Sequence, residues 1–320
     1  MKTKRSGEPP FEFIYRKDLH VLPTEALDGE VNLHGGFACD RWAGFGQLYY
    51  GVPGCGLVRI VPDLKVQELI RLPDRLKPMN FHSTKIGQIG GSWRLFLPAN
   101  NDALVAVVGF DGALDFVLTR PEFEQYQDAA VPFAPTDTVL HDRRLFVADG
   151  YGANYILAAD VTGQQWTGLF GGKTEDATED GKFATAHGIN LHHHHPHHLV
   201  IADRPSSRLQ VHALDGGFIA SQAMPPGSWP CGVDYLNWQG RWLAAVGSLV
   251  DPLAERPAPI YILDADTCQV LSTVRPKEEL EIEAVQHVHN VVWHVHQGQL
   301  YLVCQSWNPG YYFVLECVSP

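Results

Sequence analysis

The chain has 320 residues, with 24 Lys+Arg against 36 Asp+Glu and a formal net charge of −12 with histidine neutral. That disfavours a nucleic-acid binder, which needs a basic surface to displace counterions from phosphates, and no nucleic-acid partner is expected. With 45% hydrophobic and 19% charged residues, the chain holds enough apolar material for a large core, and disorder is excluded as its dominant state. No run of about 18 apolar residues occurs, so no membrane-spanning helix and no membrane partner are expected.

In chain order, residues 1–17 carry several cations but are interrupted by Pro9, Pro10 and Glu12. They offer no apolar stretch for secretion, and the expectation is a cytoplasmic protein. Residues 1–10 read as a flexible arm and 11–16 as a short apolar, alternating strand. Beyond them, 30 Gly and 22 Pro separate short runs rich in Val, Ile, Leu, Tyr and Phe, the pattern of many short antiparallel strands. Such runs occupy 104–108, 145–148, 199–202, 242–246, 260–263, 291–296, 300–304 and 311–316. Helical periodicity is nearly absent; the best candidate, 276–285, is short and acidic and reads as a turn or extended loop. Cys39, Cys55, Cys231, Cys268, Cys304 and Cys317 form no C-x-x-C pair and read as reduced, mostly buried small hydrophobes.

An internal repeat organises the runs. Leu145-Phe-Val-Ala-Asp149, a Gly/Asn loop and Tyr155-Ile-Leu are echoed by Leu199-Val-Ile-Ala-Asp203, a Pro/Ser loop and Arg208-Leu-Gln-Val. Weaker copies start near His34, His82, Gly232 and His289, roughly 45 to 57 residues apart, the length of a four-stranded propeller blade. Six units account for the chain, predicting an all-β six-bladed β-propeller over 1–320 as a single domain. The last unit has only three strands, so 11–16 is expected to close the ring as its outer strand and hide edges that invite aggregation.

In a propeller, antiparallel succession puts the starts of inner strands, and the loops after second strands, around one mouth of the channel. Three of the sixteen histidines begin inner strands: His82, His187 and His289, in the second, fourth and sixth units. Alternate blades of six lie about 120° apart, so three imidazoles are expected to meet on the axis. That is the open facial set of a catalytic zinc site, with iron, manganese or copper also suited to imidazole. His287, two residues earlier, competes with His289 for the third place. Asp137 and Cys231 open the third and fifth inner strands. Asp137 reads as a partner orienting a ligand histidine or as an additional base; a Cys231 nucleophile has no supporting signal nearby. The histidine tract at 192–195, 197 and 198 falls in the turn after the fourth inner strand, at the opposite mouth, and reads as solvated. His294 and His296 read as structural.

Phe146-Val-Ala-Asp-Gly-Tyr-Gly-Ala-Asn154, Gly181-Lys-Phe-Ala-Thr-Ala-His-Gly-Ile189 and Ile201-Ala-Asp-Arg-Pro-Ser-Ser-Arg-Leu-Gln-Val211 resemble the central blades of the peptidyl-α-hydroxyglycine α-amidating lyases, within the wider group of NHL-repeat propellers. The close match covers about a quarter of the chain. The resemblance implies a catalytic zinc on His82, His187 and His289, an active-site tyrosine at Tyr151 and an active-site arginine at Arg204. It implies a lyase cleaving a carbon–heteroatom bond beside a hydroxyl-bearing carbon of a small, carboxylate-bearing molecule, with Tyr151 taking the hydroxyl proton. Asn290 stands where the family has an aspartate that helps bind structural calcium, which weighs against calcium; a further family arginine has only Arg41 as a nearby candidate. Two rivals remain: a metal-dependent hydrolase of lactonase type, whose sites usually rest on carboxylate and amide ligands, and a non-catalytic NHL propeller that binds a protein or peptide.

Overall fold

Successive side chains of a strand point to opposite faces, so a strand apolar at every position needs cover on both. In Ser92–Ala99, Leu95 and Leu97 pack with Tyr49 and Leu57 on one side, and Phe96 packs with Leu145 and Val147 on the other. The computed structural model, which describes residues 3–41, 44 and 46–318, repeats that arrangement around a ring. Each of six apolar clusters fills the space between two neighbouring sheets.

The first sheet comprises Ala38–Cys39, Leu48–Val52, Gly56–Ile60 and Gln67–Ile70; the second Lys85–Ile89, Ser92–Ala99, Leu104–Gly109 and Leu114–Thr119. The third comprises Asp137–His141, Arg144–Ala148, Tyr155–Asp160 and Gln165–Gly171; the fourth Ala186–Leu191, His198–Asp203, Arg208–Ala213 and Phe218–Ala223. The fifth comprises Asp234–Trp238, Arg241–Gly247, Ile260–Asp264 and Val270–Val274. His287–His296, Gln299–Trp307 and Tyr311–Cys317 form the sixth with Phe13–Tyr15. The molecule is thus an all-β, six-bladed β-propeller. Among the described residues there is no α-helix, hence no helix long and apolar enough to cross a membrane.

The ring closes as the sequence predicts, Phe13–Tyr15 pairing antiparallel with Tyr311–Cys317 through Phe13↔Cys317 and Tyr15↔Leu315. Phe13 is fully buried, its ring 6.5 Å from that of Trp293. Where a flexible arm is expected, residues 6–10 are instead fastened to the outer edge of the fifth sheet. The Ser6 hydroxyl accepts the Arg275 amide at 2.6 Å and donates to Glu279 at 2.6 Å, and the Glu8 amide donates to the Ser272 hydroxyl at 2.9 Å. Segment 276–285 is turn and loop, as expected, but its Leu280, Ile282 and Val285 are buried against the fifth and sixth sheets.

His294 illustrates a buried neutral histidine: 1% exposed, it donates from Nε2 to the Pro62 carbonyl at 2.7 Å, and burial pushes its pKa down to about 4. An unfolded histidine titrates near 6.5, so between those values the unfolded chain takes up a proton that the folded site refuses. The stability this group contributes is complete above pH 6.5 and is lost as pH falls towards 4. His294→Gln should flatten the acid side of the stability profile by up to roughly 3 kcal/mol, read from urea melts at the two ends of that window. Phe13→Ala should cost about 3–5 kcal/mol, seen as an earlier urea midpoint; an unchanged midpoint would mean the closing strand carries no stability.

Candidate metal centre

Because every inner strand starts at the same mouth, residues within a few positions of those starts share one confined space. Taken around the ring they are His34, His82, Thr136, His187, Cys231 and His289. At His187 and His289 the strand is irregular: the register shifts between Ala186 and Ile189, and between Val288 and Asn290. Such bulges re-aim a side chain, and they separate His289 from His287, whose Nδ1 lies 2.5 Å from the Leu249 carbonyl. The rings of His82, His187 and His289 meet, with centroids 4.7, 4.7 and 4.9 Å apart. His34 joins them, 4.4 Å from His82 and 4.6 Å from His289.

The hydrogen bonds fix where the protons sit. His82 Nδ1 is 2.7 Å from the Thr136 carbonyl and His187 Nδ1 is 2.5 Å from the Cys231 carbonyl, in each case the next blade's residue at the same position. A carbonyl only accepts, so both Nδ1 atoms carry hydrogen. Burial holds His82, His187 and His289 well below the usual histidine pKa and His34 at about 4, and the nearby Arg204 charge pushes the same way. In neutral rings protonated on Nδ1, each Nε2 is a bare acceptor, yet the Nε2 atoms of His82 and His187 face each other at 3.2 Å. His289 is buried with neither ring nitrogen hydrogen-bonded. A cation resolves both conflicts, since it takes the lone pairs of His82 and His289, which no donor meets, whereas the Tyr151 hydroxyl is within reach of His187 Nε2. The residues therefore fit a metal. The ligand atoms of His34, His82 and His289 all lie within 4.8 Å of one another. A set of imidazoles without carboxylate suits zinc, copper, iron or nickel rather than calcium or magnesium. The Asn290 side-chain oxygen is engaged by the Phe37 amide at 3.1 Å.

Tyr151 and Arg204 reach this mouth from loops after second strands. Gly150 precedes Tyr151 because a Cβ there would come within 2.2 Å of the Ala186 carbonyl. Asn154 takes a left-handed φ of 61° and accepts the Ala186 amide at 2.9 Å, locking the loop beside His187. The Tyr151 hydroxyl lies 3.2 Å from His187 Nε2 and accepts from Arg204 Nη1 at 2.7 Å. Burial raises the phenol above its ordinary pKa, and Arg204 opposes that rise. Arg204 is only 3% exposed; its Nη2 lies 3.2 Å from Cys231 Sγ and its Nε has no partner.

The aspartates nearby are engaged elsewhere. Asp203 accepts the Ala184 and Thr185 amides and Arg208 Nε, at 2.9, 3.1 and 3.0 Å. Asp149 accepts the Ala134 and Ala153 amides and the Tyr126 hydroxyl, at 2.6, 2.7 and 2.6 Å, and burial pushes its pKa up to about 6. Asp137 accepts the Ser83 hydroxyl at 2.6 Å and the Ile189 amide at 2.9 Å, with Lys85 Nζ at 3.1 Å, bracing the second, third and fourth inner strands. Arg41 lies beyond the far end of the first inner strand, where it binds Asp234 and the Tyr235 and Trp293 carbonyls. The structure thus gathers His82, His187, His289, Tyr151 and Arg204, and leaves the Asp137 carboxylate and Arg41 in bonds between blades. It adds His34, whose ring also lies 5.5 Å from Trp307. The sequence signal for His34 is its repeat phase, since a unit starts there.

Fold and site together define a six-bladed propeller with a histidine-lined centre at one mouth. No family model matches the chain, and no curated protein matches it. Solved structures do. A gluconolactonase from Xanthomonas campestris matches at 12% identity and TM-score 0.62, over 99% of this chain and 95% of its own. The β-propeller domain of Cps50 (Swd1) from Myceliophteria thermophila matches at 10% identity and TM-score 0.52, over 88% and 82%. A chain of the mitotic checkpoint complex matches at 11% and 0.51, over 94% and 81%. At these identities the likeness is one of fold.

After brief chelator washing, the protein should retain about one transition-metal ion per chain. His82→Ala and His289→Ala should lose it while keeping their β-sheet circular dichroism. Full retention by both folded variants, read by elemental mass spectrometry, would empty the centre of its meaning.

Proposed function

We propose that the chain is a metal-dependent enzyme of hydrolase type, acting on a small oxygenated substrate that carries an anionic group. The observation that carries this is Arg204, a buried guanidinium with no ion pair to a carboxylate among the described residues, set beside the four converging imidazoles. Burying an uncompensated charge costs several kcal/mol, and an anionic substrate would compensate it. A scaffold propeller has no use for that cost.

A transition metal held by His34, His82 and His289, with His187 beside His82, would keep its full charge among neutral ligands and supply Lewis acidity, polarising a substrate oxygen or lowering the pKa of water. Arg204 binds the anionic group through Nε and Nη and orients it. Tyr151, whose oxygen accepts from Arg204, directs its own hydrogen at His187 Nε2 and can hold or pass a proton at the phenolic oxygen. The rings of His34 and Trp307 wall the site and limit water.

The hydrolase reading, with a lactone or related ester as substrate, is supported by the likeness to the gluconolactonase along nearly the whole chain. A second reading, a lyase on an α-hydroxyglycine, is favoured by the Tyr151 hydroxyl lying between His187 and Arg204, a proton-transfer group beside the place where a substrate hydroxyl would sit.

A panel of lactones bearing a carboxylate or phosphate, with neutral aldonolactones as the comparison, and of N-acyl-α-hydroxyglycines separates the two readings, with ring opening followed by acid release and lyase action by trapping glyoxylate. Lactone opening that stops on metal removal is the expected result; glyoxylate without lactone turnover would transfer the assignment to the lyase. With whichever substrate turns over, Tyr151→Phe should keep its metal and lose about 10²–10⁴ in kcat. Arg204→Met should raise KM about tenfold or more for the anionic substrate.

A further inference from the structure

At the opposite mouth, the turn 192–197 of the fourth sheet meets the turn 265–269 between the third and fourth strands of the fifth. His193 Nε2 and His194 Nε2 both approach one oxygen of Asp266, at 2.7 and 2.8 Å. His193 is not part of a loose tract: its side chain is 1% exposed and packs on the rings of His192, Tyr235 and Trp242, with centroids 4.4, 4.8 and 5.4 Å away. Its Nδ1 is buried without a hydrogen-bond partner. Two imidazole nitrogens converging on one carboxylate oxygen, with ligand atoms all within 4.8 Å, is an arrangement in which a cation can replace the protons between them.

We propose that His193, His194 and Asp266 form a second site for a divalent transition metal of the zinc or nickel class, which clips the turns of two adjacent blades together. Imidazole with a single carboxylate suits these ions over calcium or magnesium. The bound ion would act on stability, because it binds the folded pair of turns and not the separated ones. The site stands apart from the channel histidines and does not depend on what they catalyse.

The test is calorimetric titration of Zn(II) into the full-length chain after prolonged dialysis against chelator has removed all bound metal, with thermal melts recorded alongside. Two classes of zinc site are expected. Asp266→Ala and His194→Ala should each weaken one class about tenfold or more and abolish the zinc-induced rise in Tm that belongs to it. His197→Ala, in the same tract but with its ring against His141 at 4.9 Å, should do neither, and His82→Ala should leave this class intact. Titration of Asp266→Ala like the parent, or equal weakening by His197→Ala, would overturn the proposal in favour of an undifferentiated histidine tract. Loss confined to His82→Ala would leave a single site, in the channel.

Discussion

Six strands that begin at the same rim crowd their first side chains around one axis, and at four of those six places this chain puts an imidazole. Everything distinctive about the site follows. The peptide carbonyls of the neighbouring blade are the nearest acceptors, and through Thr136 and Cys231 they claim the Nδ1 hydrogens of His82 and His187. Their Nε2 atoms are then left facing each other, with the Tyr151 hydroxyl beside that of His187. The backbone of the ring itself sets the tautomers.

Charge is distributed with the same economy of position. Asp137, Asp149 and Asp203 all lie within a few residues of site groups, yet each is consumed by backbone amides, hydroxyls or a different cation. These carboxylates hold loops and blades in place. Arg204, one residue after Asp203, is left to face Tyr151 and the thiol of Cys231. The carboxylates that brace are thus kept apart from a cation left to meet an anion, in contrast to Arg41, which is neutralised by Asp234.

Much of this was legible in the residues because propeller blades impose two strong signals. Strands covered on both faces must be apolar throughout, so runs such as 104–108 and 145–148 announced themselves. The repeat phase put His82, His187 and His289 at equivalent points before any geometry existed. The same phase included His34, but an argument from alternate blades had no place for a fourth ring, and the first inner strand, Ala38–Cys39, is too short to advertise itself. A two-residue period could not separate His287 from His289; a bulge did. Contacts between turns of different units, such as Asp266 with His193, leave no mark on either turn's sequence. The anchoring of residues 6–10 likewise rests on single hydroxyls, Ser6 and Ser272, in an otherwise unremarkable stretch.

The ring is fastened by a strand near one end of the chain pairing with a strand near the other, Phe13 opposite Cys317. On the ribosome the two are separated by the making of about 300 residues, on the order of tens of seconds at ordinary elongation rates. Throughout that interval the early strand has no partner edge to join, and five blades can stack with an open flank. Completion of the toroid therefore waits for residues 311–317, and the histidine at 289, made after the other three, reaches them only as the circle locks.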